Sequence, residues 1–132
     1  MSKAKKAGVI VAVLPDRVGL LAEISEGLSE AGVNIEAICA FRSGENAQLI
    51  LMVDNIGKAR RVFEETDAEI REEEVTTVEL PHRPGELAAV ARKLADGGVN
   101  IEYSWCVAIS GPLATWILKT DNPARAIAAL GH

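Results

Sequence analysis

Residues 9–14 of the chain are apolar without a break, and beyond a short polar loop the apolar positions change period, with Leu21, Ile24 and Leu28 at helical spacing. A short β-branched run predicts a strand, and the 3.6-residue recurrence predicts a helix with one apolar face. Gly32, a residue that accepts the left-handed conformation of a C-cap, stops the helix. Two further β-rich runs follow, residues 34–42 and 48–54, joined by the turn Ser43-Gly44-Glu45-Asn46. A second helix, carrying Ala59, Val62 and Phe63, starts at Asp54-Asn55, which is good N-cap chemistry. A last strand over residues 68–74 completes the order β-α-β-β-α-β, an antiparallel sheet with both helices on one face.

The whole pattern then starts again. "LPDRVGLLAEISEGLSEAGVNIEAICAF", from Leu14, aligns with "LPHRPGELAAVARKLADGGVNIEYSWCV", from Leu80, and the five letters "GVNIE" occur in both at 32–36 and 98–102. A strand is expected at residues 75–80, then a helix through Leu87, Val90 and Leu94 with Pro84 in its first turn. Strands at 100–109 and 113–120 and a helix through Ala126, Ala129 and Leu130 follow. The expected architecture is therefore α+β, with two ferredoxin-like βαββαβ modules in tandem. A flexible lead at residues 1–8 precedes modules at 9–74 and 75–132. The second module runs out of residues before its last strand. Either it is truncated, or its sheet edge is filled by another segment, such as one from a second subunit. Apolar runs such as residues 9–14 and 49–53 leave both sheet faces to be covered, which points to an oligomer, a dimer being the simplest.

Composition narrows the function. A net charge of −5 disfavours a partner held by phosphate contacts, so nucleic acid is not expected. No apolar run approaches the roughly 18 residues of a membrane span. The basic start followed by apolar residues is too short for a secretory signal, and a cytoplasmic protein is expected. Cys39 and Cys106 lack a CxxC spacing, and with His82 and His132 they match no zinc pattern. They read as small buried apolar residues, and no cofactor is implied.

The repeated polar elements are the strand-to-helix loop and the "GVN" leading into the next strand, expected at the same end of the sheet. Together they suit a small zwitterion. Unpaired first-turn amides, about Val18, Gly19, Leu20 and Leu21 in one copy and, over the stretch that starts at Pro84 (itself without an N–H), Gly85, Glu86 and Leu87 in the other, would take a carboxylate. Asn34 and Asn100, beside Ile35 and Ile101, offer an amide donor and acceptor. Asp16 would take an ammonium, or would simply cap the helix. The asparagines would equally serve by bonding the local backbone. Arg17 and Arg83 are solvated or paired with acids such as Glu86. Glu36 and Glu102 fit a strand surface or an interface alike. His82 replaces Asp16 in the second loop, yet no nucleophile or paired carboxylate repeats beside it, so an enzyme is not expected.

The string "LPDRVGLLAEISEGLSEAGVNI", with its repeat, resembles the ACT domain family, whose motif is a strand, D/N/H-R-x-G-x-L, a helix and G-[VI]-N-I. The resemblance extends to stand-alone tandem members without a catalytic domain. It implies a ferredoxin-like fold, pairing of modules, and an amino-acid effector bound at the module or subunit interface. In serine-binding members the residue before R-P-G and the Asn of G-V-N contact the ligand. Carried over, these are Asp16, Asn34, His82 and Asn100, and neither copy has the Asn that such members carry before R-P-G. The resemblance thus implies a sensor that reports to a partner such as a biosynthetic enzyme. The alternative is an interaction subunit whose pocket has decayed.

Overall fold

The computed structural model describes residues 3–131; Met1, Ser2 and His132, the last named above among possible zinc ligands, lie outside them. The chain is α+β and divides into two compact units, one of Gly8–Glu73 and one of Met1–Ala7 with Glu74–His132. The elements in chain order are strand β1 (Lys3–Pro15), helix α1 (Leu20–Glu30), strands β2 (Ile35–Ser43) and β3 (Asn46–Val53), and helix α2 (Ile56–Glu64). Then come strand β4 (Glu69–Pro81), helix α3 (Glu86–Asp96), strands β5 (Ile101–Ser110) and β6 (Leu113–Thr120), and helix α4 (Pro123–Leu130).

Each unit takes its own part of the two long strands. In Gly8–Glu73 the order is β2-β3-β1-β4, with β1 and β2 both antiparallel to β3. Its core joins Ile10, Ala12 and Leu14 of β1 and Leu49 and Leu51 of β3 to Leu20, Ile24 and Leu28 of α1 and Ala59 and Phe63 of α2. Both helices therefore cover the sheet face lined by these alternate residues. In the other unit the order is β1-β4-β6-β5, and Val78, Leu80 and Leu118 pack on Val90 and Leu94 of α3 and Ala126 and Leu130 of α4. Asn55 and Asn122 cap α2 and α4 as expected, their side chains accepting from the amides of Lys58 and Arg125 at 3.0 Å each.

The lead is where the sequence misled. Residues 3–7 are no flexible extension but the first part of β1. Ala4 packs against the core of Val78, Leu80 and Leu118, and the Thr77 hydroxyl donates to the carbonyl of Lys5 at 3.5 Å. This segment occupies the place beside β4 that a fourth strand takes in such a module. Periodicity could not reveal it, because of the five residues of "KAKKA", three of them lysines, only Ala4 packs against that core. Two smaller corrections follow. Pro84 precedes α3 by two residues instead of lying in its first turn, and Cys39 and Cys106 are half-buried free thiols. Among the described residues no helix is long and apolar enough to cross a membrane.

Candidate functional site

The loop after β1 is built on a tight turn. Gly19 has φ 88° and ψ −1°, and the Leu20 amide donates to the Arg17 carbonyl at 3.2 Å. That is a type II turn over Arg17-Val18-Gly19-Leu20, whose third position requires a positive φ and hence glycine. The second unit repeats it with Gly85 at φ 89° and the Glu86 amide 3.5 Å from the Arg83 carbonyl. Pro84 is at the second position of that turn, the place where a fixed φ near −65° is favoured. The turn also caps the helix: Gly19 and Gly85 are the N-cap residues and no side chain caps either. Asp16 is thus free of the capping role that the sequence left open.

A hollow of about 290 Å³ adjoins the first turn, lined in part by Asp16, Arg17, Leu21, Phe41 and Arg42. The Glu23 amide is the first to bond into the helix, to Gly19, at 3.0 Å. Among the described residues the amides of Leu21 and Ala22 have no backbone partner, leaving two donors beside Asp16 at the positive end of α1. Arg42 Nε donates to the Gly44 carbonyl at 2.8 Å and lies 3.9 Å from Asp16 Oδ2. Sequence reasoning missed Arg42 and Phe41; it named the Leu21 amide but put the side chain on the core face, whereas it is exposed beside the hollow. The one signal was a Phe and an Arg just before the turn in "AFRSGE", which marks a hairpin but not the loop it returns beside.

The repeated arginines are occupied. Arg17 is bonded to Glu23, and Arg83 Nε donates to Glu86 Oε2 at 2.7 Å. The bond from Arg17 holds the Glu23 carboxyl below its ordinary range, desolvation opposing and the Arg17 charge assisting. The Glu23 bond and charge likewise raise Arg17. The first pair is exposed, whereas in the second Glu86 is half-buried. The second hollow, about 380 Å³, brings together His82, Arg83, Pro84, Glu86, Leu87 and Trp116.

The "GVN" elements are elsewhere. Pro15 pairs with Asn46 and Ser43 with Asn46, whereas Ile35 pairs with Val53. From Asn46 to Val53 the strand rises about 23 Å at 3.3 Å per residue, so Asp16 and Asn34, just beyond these pairs, are at opposite ends of the sheet. The same holds for His82 and Asn100, since Pro81 pairs with Leu113, Ser110 with Leu113, and Ile101 with Thr120. The expectation of a shared end is overturned. A helix that runs back along the sheet returns the chain to the end from which its strand started.

Each letter of "GVNIE" has a local job. Gly32, at φ 76°, and Val33 close a Schellman motif, their amides donating to Ser29 and Leu28 at 3.0 and 2.9 Å. The Asn34 amide donates to Asp54 Oδ1 at 2.9 Å, and the Asp54 amide returns a bond to the Asn34 carbonyl at 3.2 Å. Ile35 opens β2, and the pairing register slips between Ile35 and Ala37, placing Glu36 in a β-bulge. Gly98, Val99, Asn100, Ile101 and Glu102 repeat this, with Asp121 as the partner and Glu102 on Lys119 Nζ at 3.3 Å. The asparagine side chains take no part in the clasp and remain exposed. Among the described residues no group of three or more His, Cys, Asp or Glu is placed to hold a metal.

These features meet the known proteins at one family. Residues 8–74 match the ACT domain, and the chain belongs to the ACT domain family. A search of the curated proteins finds no match. Among solved structures the chain is similar to a Bacteroides thetaiotaomicron protein at 26% identity, covering 97% of this chain and 88% of that one with a TM-score of 0.87. It is similar to the regulatory subunit of aspartate kinase from Thermus flavus at 20% identity, covering 98% and 94%, TM-score 0.73. It is also similar to the aspartate kinase of Synechocystis at 26% identity, covering 98% of this chain and 26% of that one, TM-score 0.70.

Proposed function

We propose that the protein is a non-enzymatic regulatory protein of two ACT modules, Gly8–Glu73 and the unit containing Glu74–His132, that senses an amino acid. The reading makes it a cytoplasmic homodimer that passes ligand occupancy to a biosynthetic enzyme. Its family membership and its likeness to an aspartate kinase regulatory subunit support this. The observation that carries it is the hollow beside the first turn, where the Asp16 carboxylate is available to an ammonium and the unpaired Leu21 and Ala22 amides to a carboxylate. A 1–3 kcal/mol coupling to the partner is enough for sensing.

Within one module Asn34 cannot join Asp16, nor Asn100 His82, because each is at the far end of its own sheet, so the reading places the site at an interface, with a second copy of the chain as the partner. The effector then bridges two copies, with Asp16, Arg17, Val18, Gly19 and Leu20 on one side and Asn34 and Ile35 on the other. His82, Arg83, Pro84, Gly85 and Glu86 would meet Asn100 and Ile101 in the same way. His82 leaves the second site without the carboxylate, so the two sites differ in affinity.

A thermal-shift screen against the twenty amino acids, each at millimolar concentration, tests this. A ligand at 100 times its Kd adds roughly 2.7 kcal/mol. One or two related amino acids should raise the melting temperature, and Asp16→Asn and Asn34→Ala should each abolish the rise. The proximity of Arg42 to Asp16 favours a second reading, an interaction subunit whose pocket is internally neutralised. In that case no amino acid shifts the melting temperature and the oligomer persists regardless.

A further inference from the structure

We propose that the sheet face of the second unit, on the side away from α3 and α4, binds an acidic amino acid. Lys3 and Lys5 take its two carboxylates and Glu79 its ammonium. The helix-covered face carries Ala4, Val78, Leu80, Trp116 and Leu118. The residues alternating with them, Lys3, Lys5, Thr77, Glu79 and Thr115, therefore point the other way. With Ala4 they line an open cavity of about 450 Å³, larger than either loop hollow and independent of both. Glu79 is directly opposite Thr115 in the β4–β6 ladder, and Thr77 is two residues along. The floor is thus a polar trio and the lysines form its rim.

Three observations make this a site and not merely a solvated edge. First, Lys3, Lys5 and Glu79 form no ion pair among the described residues, although eight others do occur there. Second, Thr77 is only 8% exposed, and its one hydrogen bond, to the Lys5 carbonyl, is stretched to 3.5 Å. Its oxygen keeps its acceptor capacity toward the cavity. Third, the internal repeat supplies a control. Thr77, Glu79 and Thr115 correspond to Val11, Val13 and Gln48 in the first unit, and the fourth strand there reads "EIREE" where this one reads "KAKKA". Lysines on an edge strand discourage pairing with other chains, which accounts for Lys3 and Lys5 but not for the exchange of two valines for Thr77 and Glu79. Two cations and one anion at the cavity complement a ligand with two carboxylates and one ammonium.

Isothermal titration of the full chain with L-aspartate, L-glutamate and succinate, at low ionic strength, tests the assignment. Saturable binding of an acidic amino acid is expected, weakened at least tenfold by Lys3→Gln with Lys5→Gln. Glu79→Gln should weaken the amino acid but not succinate, which has no ammonium. Arg61→Gln, which removes an exposed cation from α2 of the other unit, should leave all of this binding intact. Should the lysine variant lose its circular-dichroism signature, Thr77→Val, which restores the residue type of Val11, decides in its place and should also weaken binding. The proposal is overturned if no probe binds the wild-type chain, or if the lysine variant (or Thr77→Val, where that decides) binds like wild type. It also fails if Glu79→Gln affects the amino acid and succinate alike.

Discussion

Asn34 and Asp54 hold each other by two bonds, the Asn34 amide to Asp54 Oδ1 at 2.9 Å and the Asp54 amide to the Asn34 carbonyl at 3.2 Å. The clasp ties the start of β2 to the end of β3, and Asn100 with Asp121 repeats it at 3.1 Å each way. Only the aspartate spends its side chain on it. Asp54→Ala should therefore cost about 1–2 kcal/mol in urea unfolding, the cost of losing a charge-assisted bond to a backbone amide. Asn34→Ala should stay within about 0.5 kcal/mol, as exposed substitutions do. That contrast makes Asn34→Ala a clean probe of ligand binding: a lost thermal shift in it would be a lost contact and not a lost fold.

The helices and inner strands were legible because each carries its own period: Ile24 and Leu28 reach the core at helical spacing, with Leu20 in the place expected of the exposed Leu21, and Asn55 and Asn122 announce the caps. The turn glycines were legible too, since Gly19 and Gly85 recur where only a positive φ fits. What the sequence hid is long-range. Nothing local in "KAKKA" tells that Ala4 docks beside Val78, and nothing in "AFRSGE" tells that Arg42 returns beside Asp16. Repetition itself was ambiguous. "GVNIE" recurs to terminate a helix, clasp a strand and set a bulge, and these demands suffice to keep five letters without any ligand.

Thr76 and Thr120 are buried on the second unit, and neither hydroxyl has a partner among the described residues. The corresponding residues of the first unit are Ile10 and Val53, so the fold accepts aliphatic side chains at both places. A buried hydroxyl without a hydrogen bond costs about 1–3 kcal/mol relative to an apolar isostere. Thr76→Val and Thr120→Val should each stabilise the protein by about 1 kcal/mol and raise its melting temperature by several degrees in calorimetry. A decrease in both would mean that the hydroxyls bind buried water or a ligand.

The bond from Arg17 places Glu23 below the ordinary carboxylate range. Its folded value being the lower one, the pair's contribution to folding is fully present above the unfolded carboxylate pKa, about 4.3. It fades as pH falls through the folded value. Both side chains are exposed, so the contribution is small and salt-sensitive. A carbon-detected NMR titration should find the Glu23 midpoint below that reference, and Arg17→Ala should return it there. An unshifted midpoint in the wild type would mean that the pair does not persist in solution, leaving Arg17 available to a ligand.

Residues 3–7 complete the sheet of the second unit, and removing them should weaken that unit selectively. Deletion of residues 1–7 exposes the edge of β4 and strips Ala4 from the core of Val78 and Leu118. The core of the first unit, Ile10 through Phe63 with Ile70, contains none of the deleted residues. In native-state hydrogen exchange the amides of β4 from Val75 onward, β6 and α4 should lose protection by an order of magnitude or more. Those of α1, β3 and α2 should change much less, since local opening follows the contacts that a segment loses. An unprotected β4 edge also invites pairing with another chain, so the truncated protein should aggregate more readily in light scattering. Equal loss of protection in both units would mean that they unfold as one cooperative body, and unchanged protection would mean that the segment is dispensable to the fold.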